Sequence, residues 1–361
     1  PTDFLWGAGA SSYQIEGAAF EDGKGWSVWD MMSRKPGTTY KGHTGDVACD
    51  HYHRYKDDVA LMKRIGLGSY RFSVSWPRVI PEGVGAINEK GLDFYDRLVD
   101  ELVAAEITPM ATLFHWDYPH ELYCRGHWLN PDSPKWFADY VEVVVKRLSD
   151  RVDLWLTLNE PQCFIGLGLY EGFQAPGDRL RFAEVLRAAH HTLLAHGLGV
   201  QTIRAAADRP PSVGIAPVGS GKVPYTESPA DIDATRTEMF RVAEKNLWQK
   251  TWWMDPIYLG HYPEDGLRLY AEDVPRYTAA EMETINQPLD FFAANHYSAQ
   301  YVREGGDGTP EEVEPPTGAP MFTTRTFVMP DVLYWAPRFY YERYGLPYIV
   351  TENGLSTVDW P

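Results

Sequence analysis

A chain of 361 residues with 44% hydrophobic and 23% charged side chains can bury a large core, as one big barrel or as two ordinary domains. Its formal net charge of −17 excludes a nucleic-acid surface, whose phosphates demand the opposite sign. No run approaches the ~20 apolar residues of a membrane span, and the three scattered cysteines, Cys49, Cys124 and Cys163, form neither a disulfide framework nor a metal-binding CxxC pattern.

Free thiols fit a reducing compartment, so a cytoplasmic protein is expected. The stretch after Pro1 has no signal-peptide pattern, which leaves open a leader removed ahead of it. Aromatic residues make up 14%, with 13 tryptophans; most belong in a core, but the excess also suits a sugar ligand.

In chain order, short apolar runs alternate with helical patterns. Phe4–Ala10, Ser69–Ser75, Ile107–Phe114, Leu154–Leu158, Val213–Pro217, Leu289–Ala294 and Tyr348–Thr351 read as buried strands. Between them Tyr52, Tyr55, Val59, Met62 and Ile65 recur at helical spacing up to Gly66. Leu92, Tyr95, Leu98 and Leu102 follow a candidate cap at Asn88, and Ser133-Pro134 opens a helix through Phe137, Tyr140, Val141, Val144 and Leu148. Arg303–Thr324 and Lys222–Asp233 read as long excursion loops. Such alternation implies a parallel sheet, and seven near-continuous apolar strands favour a closed (β/α) barrel in a single unit over residues 1–361.

Polar and aromatic residues cluster just after the strands: Ser11–Glu16, Trp76-Pro77-Arg78, His115-Trp116-Asp117, Asn159-Glu160-Pro161, Asn295-His296-Tyr297 and Glu352-Asn353-Gly354. In a barrel these ends share one face, the one that carries active sites. Glu160 and Glu352 each close an apolar strand, where desolvation raises a carboxyl pKa and suits acid catalysis. Two carboxyls facing across a barrel mouth can cleave a glycosidic bond, one protonating the leaving oxygen and the other attacking carbon or activating water. Spacing alone leaves open that each is an ordinary loop glutamate.

Beyond spacing, the ordered motifs Asp3-Phe4-Leu5-Trp6-Gly7-Ala8, Tyr13-Gln14-Ile15-Glu16-Gly17, Tyr70–Arg78, His115-Trp116-Asp117, Thr157-Leu158-Asn159-Glu160-Pro161 and Thr351-Glu352-Asn353-Gly354 are specific as a set. The chain resembles glycoside hydrolase family 1, the β-glucosidase group, from Phe4 to Gly354. That resemblance implies a (β/α)8 TIM barrel and a retaining mechanism without metal or cofactor, with Glu352 as nucleophile and Glu160 as acid, then base, ~5 Å apart. It implies that Gln14 and His115 hold the hydroxyls on the far side of the sugar and that Asn159 holds the 2-hydroxyl. Trp116 and Asn295 join the sugar-binding set, while Arg71 and Tyr297 flank Glu352 and keep it ionised.

Other clusters get blander readings. His51 and His53, among Asp46, Asp50, Asp57 and Asp58, lack the i, i+4 spacing of a zinc helix and read as ordinary residues of the first barrel helix. His190, His191 and His196 have no matching carboxylates and read as packing or surface residues. Cys163 has no accompanying base, which argues against a thiol nucleophile.

Three departures from the family pattern stand out. Gln174 replaces a common histidine, and no tryptophan lies near Thr326 to stack an aglycone. Only nine residues follow Glu352, fewer than a helix and a strand require, so the eighth strand and its sugar-binding side chains are expected outside this sequence. A second chain or a homo-oligomer would be one source of that part. The substrate is expected to be a small β-D-glucoside; β-galactosidase or β-fucosidase, 6-phospho-β-glycosidase and a silent sugar-binding protein are the alternatives. Thioglucosidases of the group carry glutamine in place of the acid, which Glu160 argues against.

Overall fold

The computed structural model describes residues 4–315, 317–322 and 327–356. Ten strands occur in them: β1 Gly7–Gly9, β2 Ser69–Ser73, β3 Thr108–Phe114, β4 Leu154–Asn159, β5 Ser212–Ala216, β6 Gly221–Pro224, β7 Phe292–His296, β8 Ala299–Glu304, β9 Pro310–Val313 and β10 Tyr348–Asn353. Strands β1 to β5 run parallel in sequence order, and β7 pairs parallel with β10. Backbone bonds from Asp290 to Val213 (3.0 Å) and from Asn295 to Pro217 (3.1 Å) tie β7 to the β5 side, and β1 lies against β10 at Gly9 and Thr351. This is the wall of a (β/α) barrel, and all seven runs expected from the sequence supply a strand to it. Two are not buried as expected: Phe4, Leu5, Trp6 and the whole of β1 are exposed, and in β10 Val350 is exposed while Thr351 is buried.

The helices between the strands bury most of the stripes that the sequence spaces at 3.6 residues, with Ile65, at the end of the first of them, exposed. Helix His51–Ile65 buries Tyr52, Tyr55 and Val59 and stops at Gly66, whose φ of 83° is a left-handed cap that glycine adopts without a Cβ clash. Helix Glu89–Ala104 buries Leu92, Tyr95, Leu98 and Leu102. Helix Ser133–Leu148 buries Phe137, Tyr140, Val141, Val144 and Leu148. Its cap position is Asp132, one residue before the expected Ser133. Asn88 precedes its helix without capping it, its amide instead bonding the carbonyls of Asp22 and Arg78 at 2.9 Å. Trp76, Trp128, Trp155, Trp252 and Trp253 are fully buried, which accounts for much of the aromatic excess.

Both excursion loops turn out to be partly structured. β8 and β9 form an antiparallel hairpin, β6 pairs parallel with β8, and helix Pro229–Phe240 follows β6, so the two segments fold onto each other as a small sheet beside the barrel mouth. Polar strands with long-range partners carry no hydrophobic period to betray them. The expectation about Thr326 lies outside the described residues, as does the end of the chain from 357 on.

The charged helix residues find local partners. His51 bonds Asp58 at 2.7 Å, and His53 bonds Asp50 at 2.6 Å and Glu21 at 3.0 Å. His196 packs in the core against Thr157 at 2.7 Å, and His190 bonds the Tyr262 hydroxyl at 2.9 Å. His190 also lies 4.0 Å from Glu281, a carboxylate neighbour that the sequence reading did not give it.

Candidate active site

The site is built where two strands lose their register. In β4 the pairing with β5 shifts between Leu156 and Asn159, and in β10 the pairing with β7 shifts between Val350 and Glu352. Such bulges re-aim side chains at strand ends. Glu160 follows directly with φ 44°, its N–H bonded to the Ala216 carbonyl at 2.7 Å, and a π-helical segment, Gln162–Tyr170, continues from it. Trp116, after β3, also has positive φ, at 76°. Backbone strain of this kind at non-glycine positions persists only where surrounding contacts enforce it, and it concentrates at functional sites.

A hydrogen-bonded chain joins the two carboxylates. Arg71, buried on β2, donates to Glu352 Oε1 at 2.5 Å and to Asn159 Oδ1 at 2.6 Å. Asn295 donates to the same Asn159 oxygen at 3.1 Å and to Glu160 Oε1 at 2.9 Å. The Tyr297 hydroxyl donates to Glu352 Oε2 at 2.7 Å. With its oxygen taken by two donors, the Asn159 amide nitrogen is left to donate to His115 Nε2, 3.1 Å away. Trp116 closes this side through its indole N–H on the Asn159 carbonyl at 2.9 Å.

The two carboxyl groups sit in different surroundings. Glu160 is 8% exposed, and its carboxyl pairs directly with no cation among the described residues. Burial, reinforced by the charge of Glu352, pushes its pKa up to about 7, against the opposing pull of Asn295, Cys163 and Arg71. Glu352 receives the guanidinium and the phenol directly. Burial and the nearby Arg71 charge hold His115 well below the ordinary histidine range, so it is a neutral imidazole. The Tyr297 phenol is raised by burial and by Glu352, which keeps it a donor.

Arg71, His115, Trp116, Asn159, Glu160, Asn295, Tyr297 and Glu352 are thus brought together in one hydrogen-bonded network. Gln14 is not bonded into this network: it is exposed on the short helix Ser12–Ile15 beyond β1, and its side chain makes no hydrogen bond among the described residues.

Several supporting residues escaped the sequence reading. Thr112 accepts from Arg71 Nε at 2.9 Å, Thr351 donates to Asn295 Oδ1 at 2.6 Å, and Cys163 donates to Glu160 Oε2 at 3.4 Å. Thr351 stood in a quoted motif; Thr112 looks like any strand threonine. Two other motif members prove structural. Arg78 pairs with Glu16 at 2.9 Å in the core, and Tyr95 donates to that carboxylate at 2.6 Å. An ion pair this deeply buried fixes the loop after β1 against the turn after β2, because removing either partner would strand the other charge.

Comparison with known proteins agrees with the barrel fold. The sequence profile of glycosyl hydrolase family 1 matches residues 1–360. The chain is 41% identical to Beta-glucosidase A of Acetivibrio thermocellus, over 99% of this chain and 80% of that protein. It is 38% identical to the 1,4-beta-D-glucan glucohydrolase of Thermotoga neapolitana, over 99% and 83% respectively. Among solved structures, the beta-glucosidase from Thermotoga maritima in complex with glucoimidazole superposes with a TM-score of 0.87 at 38% identity, over 98% of this chain and 79% of that one.

Proposed function

The chain belongs to glycosyl hydrolase family 1, and on that premise we propose that Glu352 is the nucleophile and Glu160 the acid and base of a retaining β-glucosidase. The observation that carries the assignment of roles is the asymmetry of the two carboxyl groups. One is buried and raised to about 7, as a proton donor at neutral pH requires, and the other is bound by Arg71 and Tyr297.

In the first step Glu352 attacks the anomeric carbon while Glu160 protonates the departing glycosidic oxygen, leaving a glycosyl ester on Glu352. In the second, the Glu160 carboxylate takes a proton from water. That water attacks the same carbon and releases Glu352. Asn159, held by Arg71 and Asn295, would meet the 2-hydroxyl, and His115, Trp116 and Gln14 would bind the rest of the sugar. Asn295 would hold the acid's Oε1 throughout.

The enzyme is a β-glucosidase, as its relatives are named, which does not favour the galactosidase, fucosidase, 6-phosphoglycosidase or silent readings. We take residues 1–361 as one catalytic unit acting on small β-glucosides. No helix among the described residues is long and apolar enough to cross a membrane. The three cysteines are free, which suits a reducing compartment such as the cytoplasm.

Two measurements test this reading. Proton NMR of early hydrolysis should show β-glucose first, with the α-anomer appearing only by mutarotation; α-glucose as first product would mean inversion. With cellobiose, kcat/KM should fall above about pH 7, because Glu160 acts protonated and a raised carboxyl loses its proton as pH passes its pKa. A profile flat to pH 9 would contradict the role of Glu160.

A further inference from the structure

Cys163 holds Glu160 twice. Its backbone N–H donates to the Glu160 carbonyl at 2.9 Å, and its thiol donates to Glu160 Oε2 at 3.4 Å. The other oxygen, Oε1, takes the Asn295 amide at 2.9 Å. An amide N–H is a firm donor and a thiol a weak one, so the two oxygens of this carboxyl are held unequally. The thiol is buried, and burial together with Glu160, Glu352 and Glu171 keeps it well above its ordinary pKa. It remains S–H over the working range and can only donate.

We propose that Cys163 is a positioning residue that fixes Oε2 of Glu160 as the oxygen carrying the transferable proton, by giving it a donor weak enough to be displaced. Oε1 stays bound to Asn295 in both protonation states. Oε2 gains its proton by giving up only a thiol contact, and when the carboxylate returns the thiol donates again, so no other group need move. This inference rests on Glu160 being the acid and base. Among the described residues, the charged and titratable groups facing Glu160 are Glu352 on β10, Arg71 on β2, Tyr297 after β7 and Cys163 itself, and of these only Cys163 touches Oε2.

The experiment compares Cys163→Ala and Cys163→Ser with the full-length wild type, reading kcat/KM against pH on cellobiose. Loss of a weak donor to a carboxylate should move the alkaline limb of Cys163→Ala up by about half a pH unit. At pH 8 its activity, relative to its own acid plateau, should then exceed the wild type's about two- to threefold. KM at pH 6 should stay at the wild-type value, since Cys163 is not placed against the sugar. Cys163→Ser restores a donor and should bring the limb back to or below the wild-type position. A Cys163→Ala limb that coincides with wild type overturns the proposal, and so does a serine variant displaced as far upward as alanine, which would mark a packing role. The Glu160→Ala variant, run on cellobiose and an activated aryl glucoside, separates the two failures. If it loses both activities equally, the acid assignment has failed and this inference falls with it; if the split holds while the cysteine variants stay flat, only the role of Cys163 has failed.

Discussion

Glu352→Gly is expected to lower hydrolysis of β-glucosides by about four orders of magnitude or more, and azide is expected to restore turnover of a dinitrophenyl glucoside as the α-glycosyl azide. Without the carboxylate no glycosyl ester can form, so both steps of the normal route are lost. The glycine leaves a hole beneath the anomeric carbon, rimmed by the Arg71 guanidinium and the Tyr297 hydroxyl, both of which had bonded the missing side chain. That rim suits a small anion. Azide entering there attacks from the α face and inverts the β-linked substrate. Arg71 keeps its bonds to Thr112 and Asn159, so the fold should survive, which circular dichroism would check. A β-glycosyl azide from this variant would mean that the roles of the two glutamates are exchanged.

Glu160→Ala is expected to divide substrates by leaving group. Cellobiose needs its departing oxygen protonated, so its kcat/KM should drop about 10³-fold, the usual worth of a positioned acid. A dinitrophenolate leaves without a proton, so the first step on that glucoside should keep most of its rate. The second step would slow for want of a base, and glycosyl ester should accumulate as a burst detectable by intact-mass spectrometry. Azide, needing no base, should here give the β-glycosyl azide, the mirror of the Glu352→Gly result. Equal losses on cellobiose and on the activated glucoside would mean that Glu160 does not supply the proton.

The barrel was legible because its signals are local. A run such as Leu154–Leu158 or Ile107–Phe114 reads as a buried strand from its own composition, and a stripe such as Leu92, Tyr95, Leu98 and Leu102 reads as a helix face from its own period. Both glutamates were equally visible, since each closes such a run and sits in a motif. The small sheet of β6, β8 and β9 was not legible. Its strands are short and polar, and β6 joins β8 across some 78 positions, as between Lys222 and Gln300, which no local pattern encodes.

The same distinction runs through the site. From the sequence alone came the residue types, the strand ends that carry them and the family order of the motifs. Only the tertiary structure decided which groups meet: Arg71 reaches Glu352 across 281 positions, while Arg78, in the same motif, turns to Glu16 in the core. It also separated two chemically identical glutamates into a buried carboxyl near neutrality and a carboxylate bound by a guanidinium and a phenol. The reason is that a side chain's proton affinity depends on the field and solvent around it, and those exist only once strands distant in the chain have closed on each other.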